Sequence, residues 1–293
     1  MKNFLFLVIK FLAISFILGE IITRIFIMDK PLYLYNNNGY YDKIPNLSDK
    51  YIRGVPPLTR SFDYRINDLG FNNLLDYKDI DVAKFNIAIL GDSYIGEINC
   101  NINEDLSSIL NNRSNEIQCL QFGGSGLHIV DLIENYKKFD LKKFDLVIFC
   151  LDIEMLQFYT GKQEYRSSIE NFKKIMYKSK FVQYLNSNHK TFQKVKNLRP
   201  NFLKKVLNKD NIAETNIFKT KSFFKENKNA HIMLKDSSQY KFFKHKISDK
   251  IILIDHNIVP YNFGDDKHWN KNGKLNAANS IFNFLQVNFR NFD

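Results

Sequence analysis

An α/β fold is predicted from three apolar runs that each stop at a turn and from the helical stretches between them. The expected architecture is a three-layer sandwich around a central parallel sheet of about five strands. The runs are Phe85–Leu90 ahead of Gly91, Ile117–Phe122 ahead of Gly123-Gly124, and Asp145–Leu151. The first is a short, mostly apolar run, as strands covered on both faces are. Strands that alternate with helices imply a parallel sheet with helices on its faces. Ala230–Leu234 and Lys250–Asp255 supply a fourth and a fifth strand. The intervening stretches 103–112, 128–139 and 213–227 read as helices. Residues 270–288 form a closing amphipathic helix with Leu275, Ala278, Ile281, Phe282 and Leu285 on one stripe.

Three segments follow. Residues 1–30 are an N-terminal transmembrane helix of the signal-anchor type, 31–80 an irregular leader, and 81–293 the α/β domain with a basic helical insertion at 161–210. Residues 4–28 form an apolar run of 25 residues, about 37 Å as a helix against roughly 30 Å of hydrocarbon. Lys10 is placed to snorkel, and Glu20 with Arg24 forms an i,i+4 pair near the far end. No small-x-small cleavage site follows the run, which favours a retained anchor over a cleaved signal peptide. Lys2, Lys10 and the terminal amine orient the amino terminus inward, which puts the rest in an extracytoplasmic or periplasmic space. A helix packed on the domain is the alternative. The leader carries turn signals at Asn38-Gly39 and Pro56-Pro57.

The chain has 293 residues with 42 Lys+Arg against 31 Asp+Glu, a net charge of +11. Residues 161–210 hold 13 basic and 3 acidic groups, leaving 29 basic against 28 acidic elsewhere. The excess is therefore local. It reads as a solvated face, a membrane-surface contact or an anionic-glycan contact. No nucleic-acid motif accompanies it, and nucleic acid is not an expected partner. Apolar content of 44% excludes a wholly disordered chain. Three cysteines, Cys100, Cys119 and Cys150, make no disulfide framework and no zinc spacing.

Chemistry-bearing residues gather at strand ends, where open α/β sheets place their sites. Gly91-Asp92-Ser93-Tyr94 follows the first strand, Gly123-Gly124-Ser125-Gly126 the second, and Asp265-Asp266-Lys267-His268-Trp269-Asn270 precedes the last helix. A serine on a tight strand-to-helix turn is exposed at the sheet edge. A histidine with an acid three residues earlier is suited to act as a base, the acid fixing its tautomer. Glycines after the second strand let a backbone N–H approach an oxyanion. Asp265 and Asp266 both remain candidates for the orienting acid. His128 either lines the pocket or is packed beside it, and Trp269 is expected to pack next to the site. His189, His231, His245 and His256 show no ligand spacing, so no metal or other cofactor is expected.

Gly91-Asp92-Ser93 after the first strand and Asp265-x-x-His268 near the carboxyl end resemble the two end blocks of the SGNH, or GDSL-type, hydrolases. Asn67-Asp68-Leu69-Gly70-Phe71 also looks like the leader of membrane-anchored, bacterial envelope-glycan members. The resemblance covers roughly residues 60–160 and 228–290. It implies an SGNH/flavodoxin-like sandwich, Ser93 as nucleophile, His268 as base and Asp265 as its orienting acid. It also implies oxyanion donors at the Ser93 and Gly126 backbone N–H groups. The family's third donor is an asparagine in a GxND block; here the stretch is Leu151-Asp152-Ile153-Glu154, with Glu154 in that place. A carboxylate donates no hydrogen bond unless protonated, and loss of one such donor costs about 10²–10³ in rate.

Two functional expectations follow from different classes. One is a membrane-anchored serine esterase or O-acyltransferase acting on acyl, chiefly acetyl, esters of envelope or extracellular glycans. The other is a catalytically degenerate member that binds a glycan or an assembly partner, motivated by the missing asparagine. A soluble lipase or thioesterase whose first 28 residues belong to the fold is a third reading. Ser93 and His268 beyond hydrogen-bond reach would favour the binding protein.

Overall fold

The expected strands assemble into one five-stranded, all-parallel sheet in a computed structural model that describes residues 2–26, 33–35, 41–53, 60–124, 127–157, 181, 209–254, 262–263 and 266–289. The chain divides into two units. One comprises Met1–Ile44, Tyr51–Ser61 and Gly161–Val206; the other comprises Pro45–Lys50, Phe62–Thr160 and Leu207–Asp293.

In the first unit, helix α1 (Lys2–Phe26) leaves nearly all of its described apolar side chains exposed. Its stretch Phe6–Thr23 is long and apolar enough to cross a membrane. Lys10 lies over the Phe6 ring at 4.6 Å. Near the other end Glu20 does not stand alone, because its carboxylate accepts the Phe181 N–H at 3.0 Å. The Phe181 ring packs where a Cβ on Gly19 would lie 2.9 Å away, so a larger residue there would make the ring shift. The expected Glu20–Arg24 pairing involves a side chain outside the described residues. Apart from Phe181 and the start of a later helix, so does the basic insertion 161–210. Strands β1 (Tyr33–Tyr35) and β2 (Tyr41–Lys43) pair antiparallel.

After the two-stranded sheet of β3 (Ser48–Arg53) and β4 (Arg60–Arg65), the second unit begins its main sheet. The sheet strands are β5 (Phe85–Gly91), β6 (Ile117–Gly123), β7 (Leu146–Leu151), β8 (Ala230–Leu234) and β9 (Ile251–Leu253). Their order is β6-β5-β7-β8-β9. Successive residues point to opposite faces, and both faces are covered. Ala88, Leu90, Phe122, Phe149 and Leu234 pack with α4 (Ile129–Lys138), α6 (Lys209–Glu226) and α7 (Tyr240–Lys246). Ile87, Ile89, Cys119, Ile148 and Met233 pack with α2 (Ser93–Gly96), α3 (Leu106–Asn111) and α8 (Lys271–Asn288). Burying each such large side chain contributes about 1.5–3 kcal/mol, which is why uninterrupted apolar runs select this three-layer arrangement. The three cysteines are free and buried.

The closing helix departs from the expected stripe. Leu275 is exposed, while Ala277, Ala278, Ile281 and Leu285 are buried, and Lys274 is fully buried beside them. The stripe counted apolar residues only, whereas the helix turns a lysine inward to meet a carboxylate. Lys274 Nζ lies 2.9 Å from Asp105 Oδ1, and the same carboxylate accepts Leu106 N–H at 2.8 Å and Asn72 Nδ2 at 2.9 Å. Gln121 Nε2 also donates to it.

The leader segment 67–77 is a clasp on this unit. The Asn67 carboxamide oxygen accepts the Leu69 and Phe71 N–H groups, and Gly70 takes φ 87°, a turn that glycine alone adopts without strain. Asp68 accepts the Tyr77 and Lys78 N–H groups. Edge strand β6 is closed by side chains. Asn73 exchanges two hydrogen bonds with the Gln121 backbone at 2.9 Å each, and Asn111 does the same with Cys119. Two asparagines thus stand in for a missing neighbouring strand.

Candidate active site

At the carboxyl end of β5 the chain turns through Asp92 straight into α2. Asp92 is the N-cap, its Oδ1 accepting the Tyr94 N–H at 3.1 Å. The residue after a capping aspartate is the first of the helix, so Ser93 is presented at the sheet edge. His268 lies in β11 (Asp266–Trp269), which pairs with β10 (Asn262–Phe263) and leads into α8. Asn270 caps that helix by accepting the Asn272 and Gly273 N–H groups at 2.9 and 3.1 Å. The two motifs, 175 residues apart, meet here: His268 Nε2 and Ser93 Oγ are 2.7 Å apart. Both residues are half-buried, so a substrate can reach the pair.

The other imidazole nitrogen, Nδ1, faces a carboxylate that sequence reasoning missed: Glu97 Oε2 lies 3.7 Å from it. Glu97 follows directly after α2, four residues past Ser93, so the helix that presents Ser93 also brings an acid toward His268. Asp265 and the side chain of Asp266 lie outside the described residues, as do Ser125 and Gly126. The Ser93 N–H meets no backbone acceptor among the described residues. Glu154 lies in α5 (Ile153–Gln157) with its side chain exposed, and no hydrogen bond among the described residues ties it to Ser93 or His268.

The loop after β6 is held close by glycines. A Cβ on Gly96 would lie 2.3 Å from the Gly123 carbonyl carbon, and one on Gly123 would lie 2.4 Å from the Gly96 nitrogen. The Gly124 N–H donates to the Gly91 carbonyl at 3.2 Å. Gly123 and Gly124 are thereby drawn against the serine-bearing helix. His128 is the N-cap of α4, its backbone N–H donating to Asp131 at 2.9 Å, so it serves at least to start that helix. Trp269 is buried as expected and meets the Tyr94 ring edge-to-face at 5.5 Å. Tyr94 also lies 5.2 Å from the His268 ring.

Beneath the serine turn is a charged cluster that the motif reading did not include. Lys235 Nζ lies 2.8 Å from Asp92 Oδ2 and 2.5 Å from Asp152 Oδ2. Its ammonium also stands 4.4 Å from the Tyr94 ring centroid. Burial works to lower the Lys235 pKa, but the two facing carboxylates outweigh it and hold the group above the ordinary lysine value. Burial is also the main cause that raises the Tyr94 hydroxyl pKa. One residue past each of three strand ends is a signal for this cluster, readable once the strand order is known.

No family model and no curated protein matches the chain. Among solved structures it is similar to a member of the lipolytic protein G-D-S-L family from Veillonella parvula, at 10% identity and TM-score 0.36, over 69% of this chain and 98% of that one. It is also similar to a lipase/acylhydrolase from Enterococcus faecalis, at 12% identity and TM-score 0.36, over 69% of this chain and 95% of that one. A third is a catalytic mutant of Axe2, an acetylxylan esterase from Geobacillus stearothermophilus, at 14% identity and TM-score 0.32, over 70% of this chain and 94% of that one.

Proposed function

We propose that this chain is a serine esterase or O-acyltransferase, anchored to a membrane by α1, that acts on acyl esters, chiefly acetyl, of envelope or extracellular glycans. The observation that carries the catalytic part is the 2.7 Å approach of His268 Nε2 to Ser93 Oγ at the carboxyl edge of the parallel sheet. Separation of these two groups would have favoured the alternative of a non-catalytic binding protein, which the missing asparagine motivates. The exposed apolar surface of α1 supports the anchor.

In the proposed reaction, Ser93 Oγ attacks the ester carbonyl carbon while His268 Nε2 takes the hydroxyl proton. The carbonyl oxygen becomes an oxyanion, stabilised by the Ser93 N–H and, as the family resemblance implies, by the Gly126 N–H. His268 then gives its proton to the departing sugar oxygen, and the acyl group remains on Ser93. Water or a second sugar hydroxyl, deprotonated by His268, then attacks the acyl carbon, and His268 returns that proton to the departing Ser93 Oγ. Asp265 is the proposed acid behind Nδ1, with the Glu97 carboxylate adding negative charge beside the imidazolium. Replacement of the asparagine donor by Glu154 leaves two oxyanion donors, so turnover on simple esters is expected to be modest.

Hydrolysis of p-nitrophenyl acetate tests the reading. The wild-type chain is expected to turn it over and the Ser93→Ala variant to fall to the uncatalysed rate. Undiminished turnover by Ser93→Ala removes Ser93 as the nucleophile.

A further inference from the structure

Three neighbouring strands of the sheet each end one residue before a charged side chain. Asp92 follows β5, Asp152 follows β7 and Lys235 follows β8, with β7 between the other two. Leu151 pairs with Leu234 and Gly91 with Cys150, so the three residues leave the sheet at nearly the same level. The lysine backbone is tied to the middle strand by its N–H, which donates to the Leu151 carbonyl at 3.2 Å. Its side chain then crosses above β7 to reach Asp92. Adjacent strands lie about 4.8 Å apart, and only a long side chain covers that crossing.

The Lys235 ammonium is engaged on three sides, by Asp92, by Asp152 and by the Tyr94 ring. Its side chain is 5% exposed, so it is not a contact for substrate. The Asp92 carboxylate is divided between two tasks. One oxygen takes Lys235, and the other caps the N–H of Tyr94, the residue after Ser93. Asp152 is divided in the same way, its Oδ1 accepting the Met155 N–H at 3.0 Å at the start of α5. A single cation therefore fixes the side chains that begin two helices at the site, and it bears on the ring that touches His268.

We infer that Lys235 is a positioning residue for the reaction at Ser93, which sets the serine turn by bridging Asp92 and Asp152 across β7. The inference rests on the serine-esterase reading above and adds to it a group that does not touch substrate. A displacement of about 1 Å at a nucleophile costs about 10²-fold in rate. Such a loss falls on kcat, because ground-state binding of a small ester does not depend on the serine oxygen's aim.

The experiment compares wild type with Lys235→Met, Lys235→Met/Asp152→Asn and Lys235→Arg in the full chain. It reads kcat and KM on p-nitrophenyl acetate together with the thermal midpoint. Lys235→Met leaves two carboxylates facing each other and is expected to lower the midpoint. The double variant removes one of them and is expected to recover the midpoint while kcat stays down about 100-fold and KM stays within about twofold. Lys235→Arg keeps the charge but changes its shape and reach, and is expected to fold with a reduced kcat. Recovery of kcat along with the midpoint in the double variant assigns Lys235 to charge balance alone and overturns the inference. Loss of fold in all three variants overturns it too, by assigning the residue to stability. A wild-type chain inactive on the ester overturns the esterase reading, and this inference with it; an active wild type with equally active variants overturns this inference only.

Discussion

Gly96 and Gly123 cross with their backbones so close that a Cβ on Gly96 would lie 2.3 Å from the Gly123 carbonyl carbon. The obstructing atoms are main chain, so neither partner gives way cheaply. Gly96→Ala is expected to cost about 1–3 kcal/mol, read as a shift of the urea midpoint. The crossing also holds the serine helix against Gly123 and Gly124, so the folded fraction of Gly96→Ala is expected to lose esterase activity as well. Unchanged stability and activity would mean that the two backbones part without consequence.

Asp105 and Lys274 form an ion pair with both side chains almost wholly buried. Removing one partner strands the other in a low-dielectric interior. Asp105→Ala is therefore expected to destabilise the chain by about 3–5 kcal/mol, measured by chemical denaturation. Burial lowers the Lys274 pKa, but the Asp105 carboxylate outweighs it and keeps the group raised.

Stability is expected to fall on the alkaline side. Burial, reinforced by the Asp49 carboxylate, pushes Tyr64 up to about 12. Lys235 and Lys274 are likewise raised by their carboxylate partners against the effect of burial. In the unfolded chain these groups lose their protons near pH 10; in the folded chain they hold them higher. The folded state binds more protons in that window, so stability present below about pH 10 is lost as pH rises through the folded values. Urea unfolding between pH 8 and 11 checks the sign, and Tyr64→Phe is expected to reduce the slope above pH 10.

Asn73 and Asn111 occupy the open backbone groups of edge strand β6 at Gln121 and Cys119. Alanine at either position leaves a buried N–H and carbonyl unpaired, with an expected cost of about 1–3 kcal/mol. An unguarded edge also invites pairing with another chain. Light scattering on warming is expected to show earlier association for Asn73→Ala/Asn111→Ala than for wild type.

The sheet was legible because its strands are buried on both faces, which leaves few polar residues in runs such as Ile87–Leu90 and Leu146–Leu151. Ser93 and His268 were legible as short local patterns. Lys235 and Glu97 were not, because their meaning lies in strand order and helix direction rather than in neighbouring residues. Lys274 escaped for a related reason: a buried lysine breaks the apolar stripe unless its partner, Asp105, is already known to face it. Gly96 differs from an ordinary helix residue only through the backbone that crosses it.

The central claim is that Ser93 is a nucleophile activated by His268, and covalent labelling tests it most directly. Incubation with a fluorophosphonate, followed by mass mapping of the adduct, is expected to place the label on Ser93, at a rate about 10²–10⁴-fold lower in His268→Ala. Label elsewhere, or equal rates at Ser93 with and without the histidine, would contradict the account.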